Sequence, residues 1–186
     1  MVIFGWLHDP LMHLTIMLGM ALLFALAALH KLANQARFAL ALEGYARAFG
    51  LPLPAGLQGA FSRLLPVLEL LAAMGLLCSL QQPLAALPAL LLLIIYALVL
   101  ALTLRSGTAL PDCGCQLGER PQPPSAALVL RNLLLVGMTA VLLWPVVPRA
   151  LGWFDLASLL GAGLSGVLLY ALAHQLISNH SLLRRL

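Results

Sequence analysis

Five apolar runs dominate this chain, and a helix needs roughly 20 such residues to cross the ~30 Å hydrocarbon core of a bilayer. They read as Pro10 to Lys31, Arg63 to Leu80, Pro83 to Leu104, Ser125 to Val147 and Trp153 to Ser178. With 62% hydrophobic and 9% charged residues over 186 positions, one soluble core could not hide the apolar side chains, so lipid is the expected solvent. The expected fold class is an all-α membrane protein with about five transmembrane helices, forming a single integral membrane domain over residues 1–186. Only Gln81-Gln82-Pro83 separates the second run from the third, which predicts a tight antiparallel hairpin. Trp144 and Trp153 flank the turn between the last two runs and mark a membrane interface.

Between the first two runs, Phe38, Leu42, Tyr45 and Phe49 recur at spacings of three and four, with Arg37, Glu43 and Arg47 elsewhere around the wheel. This pattern predicts an amphipathic helix over 34–49, lying on the membrane surface or capping the bundle. Pro52 and Pro54 end it, and the stretch Gly56 to Gly59 reads as too polar and broken to span. The first basic residue is Lys31 and no positively charged segment precedes the first run, so that run is expected to be retained rather than cleaved. The net charge of +4 arises from scattered Lys and Arg without a basic run, which argues against nucleic acid as a partner.

Charges inside an apolar span are expensive and must face protein. Glu69 falls six residues into the second run and Arg131 six into the fourth, with Asn132 beside it. Lys31 ends the first run. With five spans, these three charged groups lie near one face, which also carries the polar loop 105–124 and its Asp112-Cys113-Gly114-Cys115 sequence. An ion-pair network fixing helix register is one reading of the cluster. In the other, Arg131 or Lys31 stabilises a thiolate, lowering a cysteine pKa from its reference of about 8.5, while Glu69 holds the cations or relays a proton. The two are compatible. Asp112 disfavours a thiolate at Cys113, leaving Cys115 as the better candidate for activation.

Cys113 and Cys115 can meet across Gly114, and a disulfide in so short a ring is easily reduced. A metal site is not expected, because the loop holds no histidine and two thiolates need further ligands. Cys78, near the far end of the second run, reads as a packing residue, so the chain lacks a second dithiol. Either a quinone, a partner protein or nothing at all is then left to supply the next redox step. His13 and His174 are isolated and receive no role. Gly161, Gly163 and Gly166 read as small-residue helix contacts, and Met12, Met17 and Met20 as core filler.

Nine basic residues share the face of the cysteine loop, against Arg149 alone on the other, so the positive-inside rule puts that loop in the cytoplasm. Disulfide chemistry favours the opposite side, and both orientations stand at this point.

Lys31-Leu32 after the first apolar span, Phe38 and Tyr45 on the next helix, Leu65-Pro66 with Glu69, then Arg105, Cys113-Gly114-Cys115 and Arg131-Asn132 follow one another in a recognisable order. In this the chain resembles, nearly end to end, the MauE family of methylamine-utilization membrane proteins, part of a wider DoxX-like group of small helical bundles. It departs from many relatives after the second cysteine, where Gln116-Leu117-Gly118 replaces Gly or Phe-Gly. The resemblance implies a four-helix core bundle with an additional C-terminal helix, in a bacterial inner membrane. It also implies thiol/disulfide exchange through Cys113 and Cys115, with Arg131, Lys31, Glu69 and Asn132 beside them. The implied partner is a thioredoxin-like protein similar to MauD, and the implied client is the small subunit of methylamine dehydrogenase. Rival readings are a non-redox assembly factor or chaperone and, on Lys31, Glu69 and Arg131 as a translocation site, a small-solute transporter.

Overall fold

A computed structural model describes residues 8–51, 54–106 and 125–183, with the side chains of residues 55, 173, 174 and 177–183 left aside. The loop over 107–124, with Asp112, Cys113 and Cys115, lies outside the described residues. Among those described the chain is all helix and turn: α1 (Pro10–Ala33), α2 (Gln35–Ala48), α3 (Ala55–Cys78), a short 3-10 turn (Pro83–Ala86), α4 (Leu87–Ser106), α5 (Ala126–Val141) and α6 (Trp153–Leu183). Four of these helices are long and apolar enough to cross a membrane, and α5 is a shorter apolar helix. The protein is an all-α, multi-pass membrane protein.

The buried face of α1 runs His13, Ile16, Met17, Met20, Ala21, Phe24, Ala28 and Lys31, a three-and-four repeat that points one stripe at α3. Ala72, Ala73 and Leu76 of α3 and Ala89, Leu92 and Leu93 of α4 complete the core. Small residues at these positions let the backbones approach, which drives packing where lipid gives no hydrophobic advantage to burial. At Gly75 the approach is closest, since an added Cβ would stand 2.5 Å from the Ala85 carbonyl oxygen. The outward stripes are leucine-rich, with Leu22 and Leu29 on α1 and Leu91 and Leu98 on α4 exposed, as a lipid-facing surface requires.

Three boundaries differ from the sequence reading. The second span starts at Ala55 rather than Arg63, and Gly56 to Gly59 is helical. The polar residue there is used, because Gln58 Nε2 donates to the Ala39 carbonyl at 2.8 Å and fastens α3 to α2. Helix α5 ends at Val141, so at about 24 Å it falls short of the expected 125–147 span. Pro145 and Pro148 explain the stop, since each lacks an N–H and disfavours helical backbone in the residue before it. Helix α6 runs past Ser178 to Leu183.

Helix α2, Gln35–Ala48, occupies the stretch between the first two spans. Gly50, at φ 66°, closes α2 through the Gly50 N–H to Arg47 carbonyl and Leu51 N–H to Ala46 carbonyl bonds, a reversal that only glycine adopts freely. Met17 and Met20 lie in the core, with Met12 packed at its edge.

Two packing expectations fail. Cys78 ends α3 exposed, on the same lipid-facing stripe as Leu71 and Met74. An added Cβ at Gly161, Gly163 or Gly166 would meet nothing within 4 Å, so these glycines make no close helix contact among the described residues. None of the span Trp153–Leu172 is buried, and α6 rests chiefly on α1.

Candidate functional site

Lys31 comes from the last turn of α1 and Glu69 from the middle of α3, and their side chains are 5% and 1% exposed. The Lys31 ammonium donates to Glu69 Oε1 in a buried ion pair. Tyr96, midway along α4, donates its hydroxyl proton to the same oxygen at 2.7 Å. The lysine nitrogen also lies 4.9 Å from the Tyr96 ring centroid and 5.1 Å from that of Phe38, so two aromatic faces replace water around the cation. One polar knot thus ties α1, α2, α3 and α4 together. Removing either partner would leave a bare charge in a medium that cannot solvate it.

Beside this knot lies a cavity of about 40 Å³ lined by Lys31, Glu69, Tyr96, Arg131, Asn132 and Tyr170 among others. The four charged or amide residues singled out in the sequence therefore share one wall. Three of its lining residues each hold a buried polar atom without a hydrogen-bond partner: Glu69 Oε2, Arg131 Nε and Asn132 Nδ2. That leaves an acceptor and two donors unmet around a space able to hold a water-sized group. The local charge is two cations against one carboxylate.

Glu69 stands fourteen residues into α3 rather than six, because the helix begins earlier. It still meets Lys31, since the first turns of α3 run alongside α2, beyond the end of α1. Arg131 lies about 7.5 Å along α5 from its start, close to where the chain enters from 107–124. The positions of Cys113 and Cys115 relative to this cluster lie outside the described residues.

Tyr96 and Tyr170 escaped the sequence reading. A phenol inside the aliphatic run Leu-Ile-Ile-Tyr-Ala-Leu was the available signal for Tyr96, since its hydroxyl must find a partner in lipid. By sequence Arg149 bears only on orientation. In the structure its guanidinium clamps two helices, donating from Nε to Asp9 Oδ2 at 3.0 Å and from Nη2 to Asp155 Oδ1 at 2.7 Å. Hydrogen bonding from Arg149 holds the Asp9 carboxyl below the usual carboxylate range, and Asp155 with Asp9 raises Arg149 further. His8 extends the clamp, with Nδ1 2.7 Å from the Pro145 carbonyl oxygen. Among the described residues no group of three or more His, Cys, Asp and Glu could hold a metal ion.

A helix bundle with lipid-facing leucines and a lysine–glutamate–tyrosine knot at its centre defines a small multi-pass membrane protein with a polar core. The chain belongs to the MauE family: the family model described as methylamine utilisation protein MauE matches residues 9–145. It is similar to the methylamine utilization protein MauE of Paracoccus denitrificans, 34% identical over 168 residues, covering 89% of this chain and 87% of the relative. The MauE protein of Paracoccus versutus is 38% identical over 172 residues, covering 91% and 89%. That of Methylorubrum extorquens is 36% identical with the same coverage. No solved structure matches the chain.

Proposed function

We propose that this protein is a thiol/disulfide redox partner in a bacterial inner membrane that assists disulfide formation and maturation of the methylamine dehydrogenase small subunit during methylamine utilization. Its exchange partner in this reading is a thioredoxin-like protein similar to MauD. Family membership supports the methylamine context. The observation that supports the redox reading is the gathering of Lys31, Arg131 and Asn132 around one small cavity, with Arg131 and Asn132 within two turns of the start of α5, which follows the segment holding Cys113-Gly114-Cys115.

The chemistry balances between two proteins. A thiolate of the pair attacks a partner disulfide and forms a mixed disulfide. The second cysteine then displaces the partner, so one dithiol becomes a disulfide as one disulfide becomes a dithiol. Electron flow in the other direction uses the same steps reversed. Excess positive charge favours the thiolate over the thiol, and Glu69 serves in this reading to hold the cations or relay a proton.

Replacing Cys113 and Cys115 together by serine is expected to leave the protein inserted and to abolish maturation of its client, measured as free thiols in the dehydrogenase small subunit. Normal client disulfides in that strain refute the redox role. With only one cysteine replaced, a mixed disulfide with a thioredoxin-like protein should accumulate on non-reducing gels. A non-redox assembly factor, whose cysteines only brace a loop, gives none.

A further inference from the structure

Two cavities border on Lys31, and their walls differ in chemistry. The larger, about 330 Å³ beneath α2, is walled by aliphatic and aromatic side chains. The smaller, about 40 Å³, collects polar groups from five helices: Lys31 of α1, Glu69 of α3, Tyr96 of α4, Arg131 and Asn132 of α5, and Tyr170 of α6. Glu69 and Asn132 are 1% and 4% exposed, so bulk water reaches neither. Helix α5 packs chiefly on α4 and next on α1, and α3 is not among its main neighbours. Arg131 and Asn132 therefore share a wall with Glu69 without a close seam between their helices.

The unmet atoms of the smaller cavity's lining residues select its guest by sign. Lys31 and Tyr96 both donate to Glu69 Oε1, which leaves Oε2 an acceptor without a donor. Arg131 Nε and Asn132 Nδ2 are donors without an acceptor. A small anion would answer the two donors and stand against a carboxylate. A small cation would answer the carboxylate and stand against Lys31 and Arg131. An aliphatic group answers none of the three and leaves each desolvated and unpaired. Water alone among small guests both donates and accepts, and buried waters typically make about three hydrogen bonds to otherwise unpaired polar groups, in spaces as small as roughly 10–15 Å³. We propose that the small cavity binds an ordered water molecule that accepts from Arg131 Nε and Asn132 Nδ2 and donates to Glu69 Oε2.

Bound there, the water makes one network of the buried charges. Glu69 becomes the counter-ion of both cations, holding Lys31 directly at Oε1 and Arg131 through the water at Oε2. The first two turns of α5 are thereby tied to the α1–α3–α4 knot by a solvent molecule rather than by a direct side-chain bond. The site does not rest on the redox reading. Its test involves no thiol turnover, so failure of the trapping experiment above and failure of this one are separate results.

The test uses the full chain in nanodiscs of phosphatidylethanolamine and phosphatidylglycerol, with asparagine isotope-labelled at its side-chain amide nitrogen for NMR. The Asn132 amide signal is identified by its loss in Asn132→Leu. Its protons are expected to show NOE and ROE cross-peaks of opposite sign to water, the mark of a long-lived dipolar contact rather than of proton exchange. Ala27→Leu fills the cavity from α1 and alters none of the polar groups, so that cross-peak should be lost, and Leu135→Phe reads the same space from α5 if the first variant does not fold. Replacing chloride by gluconate and then titrating in bromide should leave the Asn132 amide shifts in place. A saturable bromide-dependent shift, which would make an anion the occupant, overturns the proposal. So does the lack of any dipolar water contact at Asn132 in the wild type, or a contact that persists in the filled variants.

Discussion

Two ionic clusters hold opposite ends of α1, and they are built for different surroundings. At its start, Arg149 reaches Asp9 and Asp155 in an exposed clamp that joins α1 to the beginning of α6. Near its end, Lys31 is buried against Glu69, Tyr96 and Phe38. Water and salt screen the first, and a lost charge there is simply rehydrated. The second has no such recourse, because a carboxylate at 1% exposure inside lipid cannot be solvated once its cation is gone. The buried cluster is thus the place where a substitution breaks the fold, and the exposed one where it only loosens an end.

The largest expected effect comes from cutting the buried pair. Lys31→Met or Glu69→Leu alone should cost about 3–5 kcal/mol, while the double substitution should recover most of that loss by leaving no bare charge. Thermal unfolding in detergent across the four-member cycle measures it, and additive losses in the double variant would show that the two groups do not depend on each other. Next comes Tyr96→Phe. It keeps the ring against Lys31 and removes only the hydroxyl that donates to Glu69, for an expected loss of about 1.5–3 kcal/mol. An unchanged midpoint would remove Tyr96 from the knot.

Smallest is the response of the exposed clamp. Arg149→Ala should shift the unfolding midpoint slightly, and by less at high salt, with local protection from hydrogen exchange lost around residues 8–10 and 145–152. Acid should act in the same place. The Asp9 carboxyl is held below its ordinary value, so its contribution is complete above the unfolded pKa near ~3.9 and fades as pH falls through the depressed folded value. Protection factors at the start of α1, taken relative to the intrinsic exchange rate at each pH, should therefore fall below about pH 4 in the wild type, and the Arg149→Ala chain should lack that fall.

The same contrast explains what could be read from residues in order. Lys31, Glu69, Arg131 and Asn132 stood out because a charge or amide in an apolar span has few acceptable places, and all four line one small cavity. Tyr96 did not stand out, since a tyrosine in a span is also at home as an aromatic anchor and its partner is set by how α3 and α4 pack. Arg149 was invisible as a clamp, because its two carboxylate partners lie 140 and 6 residues away in sequence. Hydropathy does not register the stop that Pro145 and Pro148 impose on α5, and Gly56 to Gly59 taken alone does not show the Gln58 bond to α2 that accompanies the early start of α3.

The sequence by itself determined the solvent, the helical class, a short amphipathic helix after the first span and the need for charged side chains to find one another. All of these follow from the cost of putting polar groups in hydrocarbon, which each segment meets locally. Tertiary packing alone decided which partners they found: Tyr96 on Glu69, two aromatic faces on Lys31, a cavity roofed by α2, and an α6 that lies against α1 without burying any of its span. Those choices depend on the rotation and offset of neighbouring helices, which van der Waals contact between small side chains sets once the helices have assembled.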